Sequence, residues 1–135
     1  VRPTPISSGV DLWRETEGII PFHATKCTEC GNIEWPPQRI CSKCRALDKH
    51  EPVRLSDKKA TLFTHSKDMI TDQFDIPMIY SAINFEGGGR MITTVTDKDV
   101  QEIHNGMDLE MTFRKKFCTE GHTMYMWKAM PIRLK

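Results

Sequence analysis

The chain has 135 residues, 39% of them hydrophobic, with 19 basic and 18 acidic side chains and a formal net charge of +1. That balance lacks the basic field that holds nucleic acid by counterion release, and no apolar run approaches membrane-spanning length. The length admits one ordinary domain or two small modules, and five cysteines, four of them in two close pairs, with no signal-peptide pattern ahead of them, fit a reducing cytoplasm.

Residues 1–18 read as an N-terminal arm. Pro3 and Pro5 keep its first residues extended, and Val10 to Glu15 can form one or two helical turns that carry Leu12 and Trp13. Two readings stand side by side: a frayed terminus, or an arm that packs on another subunit because Ile6, Leu12 and Trp13 are costly to leave in water. Residues 19–52 read as a metal ribbon. A short strand around 19–25 leads into Cys27-x2-Cys30-Gly31, and after Trp35-Pro36-Pro37 the chain returns through Cys41-x2-Cys44. Two C-x2-C knuckles with ten residues between the inner cysteines can bring four thiolates onto one tetrahedral ion. Gly31 stands where the chain must turn with positive φ so that backbone N–H groups face sulfur. Cys27, Cys30, Cys41 and Cys44 are therefore the predicted ligands, zinc or iron, and a zinc held by four cysteines is structural because no coordination position stays open. Paired disulfides require an oxidising compartment, and a redox dithiol requires a thioredoxin-like setting that is absent. His23 and His50 flank the cysteines as possible substitute ligands, with surface positions the simpler reading.

Residues 53–135 turn to strand patterning. Lys59 to Met69, Met78 to Phe85 and Arg90 to Thr96 read as strands, the second and third joined through Glu86-Gly87-Gly88-Gly89. Asp97 to His104 is predicted as a short helix ended by Asn105-Gly106. Leu109, Met111 and Phe113 alternate with Glu110, Thr112 and Arg114, and the segment Thr123 to Ala129 alternates as well. Five strands with a short helix between the third and fourth is the element order of an OB-type barrel. The fold class is mostly β: an N-terminal zinc ribbon followed by a five-stranded OB-type barrel. Met124, Met126 and Met130 read as core filler before a binding surface.

The run Cys-x2-Cys-Gly-x4-Pro-Pro-x3-Cys-x2-Cys, filled by Cys27, Cys30, Gly31, Pro36, Pro37, Cys41 and Cys44, is followed by the barrel pattern and by Tyr125-x-Trp127-Lys128-x-x-Pro131. Over residues 20–133 the chain resembles the acyl-CoA-associated proteins that join a rubredoxin-like zinc ribbon to an OB fold. The resemblance implies a tight hetero-oligomer with a thiolase-like subunit that carries the nucleophilic cysteine and histidines. This chain would then bridge, stabilise or help hold a CoA thioester, as the accessory subunit of an acyltransferase complex that cleaves or condenses β-ketoacyl-CoA substrates. Aromatic-compound degradation is one setting for such a complex.

On its own the chain is expected to be non-catalytic. Cys118, with Glu120 and His122, has the residue types of a nucleophile group but sits at an expected hairpin turn with nothing to exclude water or hold an oxyanion. The Gly87–Arg90 turn and Lys128 are the candidate contacts for CoA phosphates, against a flexible hairpin and a surface ion pair as the simpler readings. Two rival functions follow from the same elements. One is a single-stranded nucleic-acid module, opposed by the near-neutral charge and 8% aromatic content; the other is a rubredoxin-like electron carrier, which iron would colour red.

Overall fold

The computed structural model describes residues 13–14, 16–70, 77–119 and 122–132, without the side chains of residues 117–119 and 122. Leu12 and the rest of the predicted arm before Trp13 lie outside the described residues. The elements are α1 (Thr16–Ile19), β1 (His23–Cys27), β2 (Ile33–Glu34), β3 (His50–Arg54), β4 (Ala60–Asp68), β5 (Met78–Phe85), β6 (Arg90–Val95), β7 (Asp108–Thr119) and β8 (His122–Pro131). The fold is mostly β, as the alternating sequence leads one to expect. The first three strands form a small antiparallel sheet in the order β2-β1-β3, and the other five close a barrel in the order β4-β5-β6-β8-β7.

Closure follows OB logic. Strands β4, β5 and β6 form an antiparallel meander, β6 and β8 run parallel through Val95 and Ala129, and β7 returns to β4 at Ala60 and Thr61. The parallel seam is a single pair, and two further bonds reinforce it: Thr96 N–H to the Ala129 carbonyl at 2.8 Å and Thr93 Oγ1 to the Trp127 carbonyl at 2.9 Å. Thr93 and Ser81 are buried hydroxyls, and both are satisfied, Ser81 Oγ donating to the Thr93 carbonyl at 3.0 Å. Inside the barrel lie Leu62, Ile79, Ile83, Met91, Val95, Leu109 and Ala129, the residues that period-two patterning points inward.

The helix expected over Asp97 to His104 is a turn at residues 100–102 instead. Ile103 is buried and Val100 packs on the core, so the three-residue spacing was informative about facing but not about backbone. Locally, Asp99 wins: its carboxylate accepts the Gln101 N–H at 3.0 Å, its carbonyl accepts the Glu102 N–H, and Asp97 already stands in the left-handed region at φ 50°. A segment this short has no propagation to set against such side-chain competition.

Ribbon and barrel share one core. Phe22, Ala24 and Ile33 belong to the same buried cluster as Leu62, Ile83 and Leu109. The glycine turn between β5 and β6 is part of that junction. A Cβ on Gly88 would meet Ile33 at 3.5 Å, and one on Gly89, at φ +98°, would meet it at 3.2 Å. Gly87, at φ +87°, faces only the flexible end of Lys58 at 3.6 Å. Gly89→Ala is therefore expected to destabilise the chain by about 1–3 kcal/mol in denaturant unfolding, and Gly87→Ala by less. Equal effects at both positions would mean that backbone strain alone, and not the Ile33 contact, sets the cost.

Candidate metal centre

Each knuckle is built from backbone hydrogen bonds. In the first, Gly31 N–H donates to the Cys27 carbonyl at 2.9 Å and Cys27 N–H to the Asn32 carbonyl at 2.8 Å, with Gly31 at φ +72°. In the second, Arg45 N–H donates to the Cys41 carbonyl at 2.9 Å and Cys41 N–H to the Ala46 carbonyl at 3.1 Å. Arg45 takes φ +61° there, doing for the second turn what Gly31 does for the first. The ends of the second knuckle are clamped by Arg39, whose Nε and Nη2 donate to the two Asp48 carboxylate oxygens at 2.9 and 2.7 Å, while Asp48 N–H returns to the Arg39 carbonyl. Arg39 holds the Asp48 carboxyl below its ordinary range, yet both side chains are exposed, so the pair orders the loop more than it stabilises it.

The outcome is a tight sulfur cluster. The sulfurs of Cys27, Cys30, Cys41 and Cys44 all lie within 4.8 Å of one another, Cys27 to Cys44 at 3.5 Å and Cys30 to Cys41 at 3.6 Å. Four thiolates about 2.3 Å from a tetrahedral zinc would stand about 3.8 Å apart, so the donor set fits such an ion. No histidine joins the cluster among the described residues: His23 pairs with Glu17 at 3.4 Å, and His50 pairs with Cys27 across the β1–β3 ladder without adding a ligand atom.

Charge on these sulfurs is uneven without an ion. The Cys44 and Lys43 amides, with the neighbouring thiols of Cys30 and Cys44, hold Cys41 down to about 6 against burial. At Cys44 the Ala46 amide pulls the thiol down, but Cys27, burial, Cys30 and Cys41 together push it up to about 12. Cys30 is also raised: the Asn32 amide lowers it, and burial and Cys41 outweigh that. At neutral pH Cys41 is thus ready as a thiolate while Cys30 and Cys44 keep protons that a cation must displace. Metal affinity should accordingly fall as pH falls, with protons released on binding; a titration in two buffers of different ionisation enthalpy measures them. Binding with no proton release would contradict this charge distribution.

Beside the sulfur cluster a cleft of about 620 Å³ opens between ribbon and barrel, lined by ribbon residues such as Glu34, Trp35 and Ser42 and by Asn84, Gly89 and Arg90 of the β5–β6 hairpin. Arg90 stands at its rim with Nε on Asn84 Oδ1 at 2.7 Å and its guanidinium 4.0 Å from the Phe63 ring centroid. Lys128 does not line this cleft. It is buried in β8, opposite Thr112 of β7, near the end of β6 that lies away from Arg90. The two candidate CoA contacts therefore do not converge. The side chains of Cys118, Glu120 and His122 lie outside the described residues.

What sequence reasoning missed is the role of the tryptophans. Trp35 Nε1 donates to the Gly18 carbonyl at 3.2 Å, and Trp127 Nε1 to the Ile19 and Ile20 carbonyls at 2.9 and 3.1 Å, so one indole from the ribbon and one from the barrel cap the end of α1. Between them sits Phe22, 5.5 Å from Trp35 and 5.6 Å from Trp127. Nothing in local spacing links residue 18 to residue 35 or 19 to 127.

No protein-family model matches the chain. It is similar to a DUF35 domain-containing scaffold protein of Methanothermobacter thermautotrophicus, 34% identical over 111 residues that cover 78% of this chain and 81% of that protein. A protein of the same description from Methanocaldococcus jannaschii is 27% identical over 128 residues, 91% of this chain and 90% of the relative. Among solved structures, the Ltp2-ChsH2(DUF35) aldolase superposes with a TM-score of 0.68 at 15% identity over 95% of this chain and 98% of that one. A DUF35-family protein of unknown function from Sulfolobus solfataricus gives 0.52 at 18% identity over 76% and 75%. These structural likenesses concern the fold.

Proposed function

The chain belongs to the DUF35 family, and from that premise we propose that it is a zinc-containing, non-catalytic accessory subunit of a thiolase-type acyl-CoA complex. The observation that carries this reading is the closed set of four cysteine sulfurs: an ion held by Cys27, Cys30, Cys41 and Cys44 has no position left for substrate or water. Such an ion supplies folding energy to a sheet too small to stand alone and no chemistry to a reaction. The bond-making groups then belong to a partner. The scaffold description of the relatives, and a solved neighbour that is named as a DUF35 chain together with an aldolase, support an enzyme as that partner. In this reading Arg90 is the group at the cleft rim able to meet a CoA phosphate.

An exposed apolar face supports docking. Phe63, bulged out of β4 between Leu62 and Thr64, is 51% exposed, and Ile92, opposite Ala82, is 73% exposed, with Tyr80 further along β5 on the same outer surface. Exposure of this kind is costly for a chain that works alone. The test is isolation of the tagged chain from its native cells. A thiolase-like subunit in comparable amount and one zinc per chain are expected, and Ile92→Arg should lose the partner while metal content and melting stay unchanged. Turnover of a CoA thioester by the purified chain alone would overturn the proposal.

The same outer face of the second and third barrel strands is where OB folds bind oligonucleotides, and Phe63, Tyr80 and Arg90 have the side-chain types for stacking. This favours a second reading, a single-stranded nucleic-acid module. A low-salt gel shift with a steep salt dependence would favour it over the enzyme partner.

A further inference from the structure

We propose that Glu34 is a positioning residue of the metal centre, strapping the second knuckle to the strand that follows the first and so setting how tightly the ion is held; this rests on the zinc reading above. Glu34 Oε1 accepts the Ser42 N–H at 3.1 Å, the Ser42 hydroxyl and Asn32 Nδ2 at 3.0 Å, and Oε2 accepts the Ser42 N–H at 3.4 Å. Ser42 directly follows the ligand Cys41. Asn32 lies two residues after the ligand Cys30, takes the Cys27 N–H on its carbonyl, and points Nδ2 at the Cys41 sulfur from 3.9 Å. One carboxylate thus joins hydrogen-bonded groups from both knuckles, which the chain itself connects only through a ten-residue loop.

The charge makes the placement informative. A carboxylate beside four thiolates is electrostatically unfavourable unless it does something a neutral group does less well. Here it collects a backbone N–H, a hydroxyl and an amide at once, all charge-assisted bonds, and each donor is covalently next to, or aimed at, a ligand sulfur. Carboxylates that orient ligands in this way commonly change metal affinity by about 10–100-fold when removed. Glutamine retains one acceptor oxygen but brings an NH2 group against donors. It should hold the strap partly.

The experiment uses the full chain loaded with Zn²⁺, or with Co²⁺ for its thiolate absorption, and follows release to a chelator in excess. Glu34→Ala is expected to release the ion about 10–100-fold faster than wild type, with Glu34→Gln and Ser42→Ala between the two. The cobalt thiolate band of Glu34→Ala should also shift, because Asn32 is no longer held toward Cys41, a change that mere loss of fold stability would not produce. If Glu34→Ala fails to fold, Glu34→Gln and Ser42→Ala carry the comparison. Wild-type release rates and an unshifted band in these variants would overturn the role of Glu34. A wild-type chain that binds neither ion overturns the zinc reading and this role with it, and wild-type metal content tells that result apart from the first.

Discussion

Replacing Cys27 by serine is expected to abolish stoichiometric zinc and to unfold the ribbon while the barrel strands persist. The ribbon sheet has strands of five, two and five residues, well short of what holds together in water without a staple. Structural zinc contributes on the order of 10–16 kcal/mol to folding of such modules, far more than the few buried side chains of the ribbon can replace. Cys27 is itself buried, and its sulfur stands 3.5 Å from that of Cys44, so the serine cannot act as a remote or optional ligand. Two readouts separate ribbon from barrel. Metal analysis should fall from one zinc per chain to none, and tryptophan emission should shift to the red as Trp35 and Trp127 leave the junction, against a constant contribution from Trp13, which is already 78% exposed. Because the outer barrel face would survive, loss of the proposed enzyme partner in this variant would assign part of the proposed docking to the ribbon. Full metal content, or a complex of normal activity without metal, would contradict the structural role of the ion.

How far the molecule was legible beforehand depends on the range of each interaction. The knuckles were readable because ligand spacing is covalent, and the positive φ anticipated for Gly31 is present at +72°. Arg45 performs the matching turn at φ +61°, yet arginine carries no turn signal, so nothing marked it in advance. Strands β4 to β8 were visible in their alternation, since a barrel interior imposes period two on every strand. The three glycines after Glu86 suggested a phosphate-binding turn or a loose hairpin, whereas Gly88 and Gly89 leave room for Ile33 of the ribbon. Their reason lies more than fifty residues away and could not be read locally. The same holds for the Trp35 and Trp127 bonds to the end of α1, and for Glu34, whose partners Asn32 and Ser42 become neighbours only once both knuckles have turned.

That junction gives the second large expected effect. Phe22 is fully buried, stacked on Trp127 at an interplanar angle of 12° and edge-on to Trp35 and Phe85 at 5.5 and 5.9 Å. It also stands at φ +58°, a conformation that costs a bulky residue about 1–3 kcal/mol. The aromatic burial must exceed that cost, since the chain keeps a phenylalanine where a glycine would be unstrained. Phe22→Ala retains the backbone strain and removes the ring, so a loss of about 3–5 kcal/mol is expected in denaturant unfolding, with α1 released as both indoles lose their packing. Phe22→Gly removes the ring and relieves the strain together, and should be less damaging than alanine by about 1 kcal/mol. That ordering distinguishes burial from backbone geometry. A cost below about 1 kcal/mol for Phe22→Ala would mean that the ribbon and barrel are joined elsewhere, through Ile33 on the glycine turn, and that the aromatic cluster merely fills the space between them.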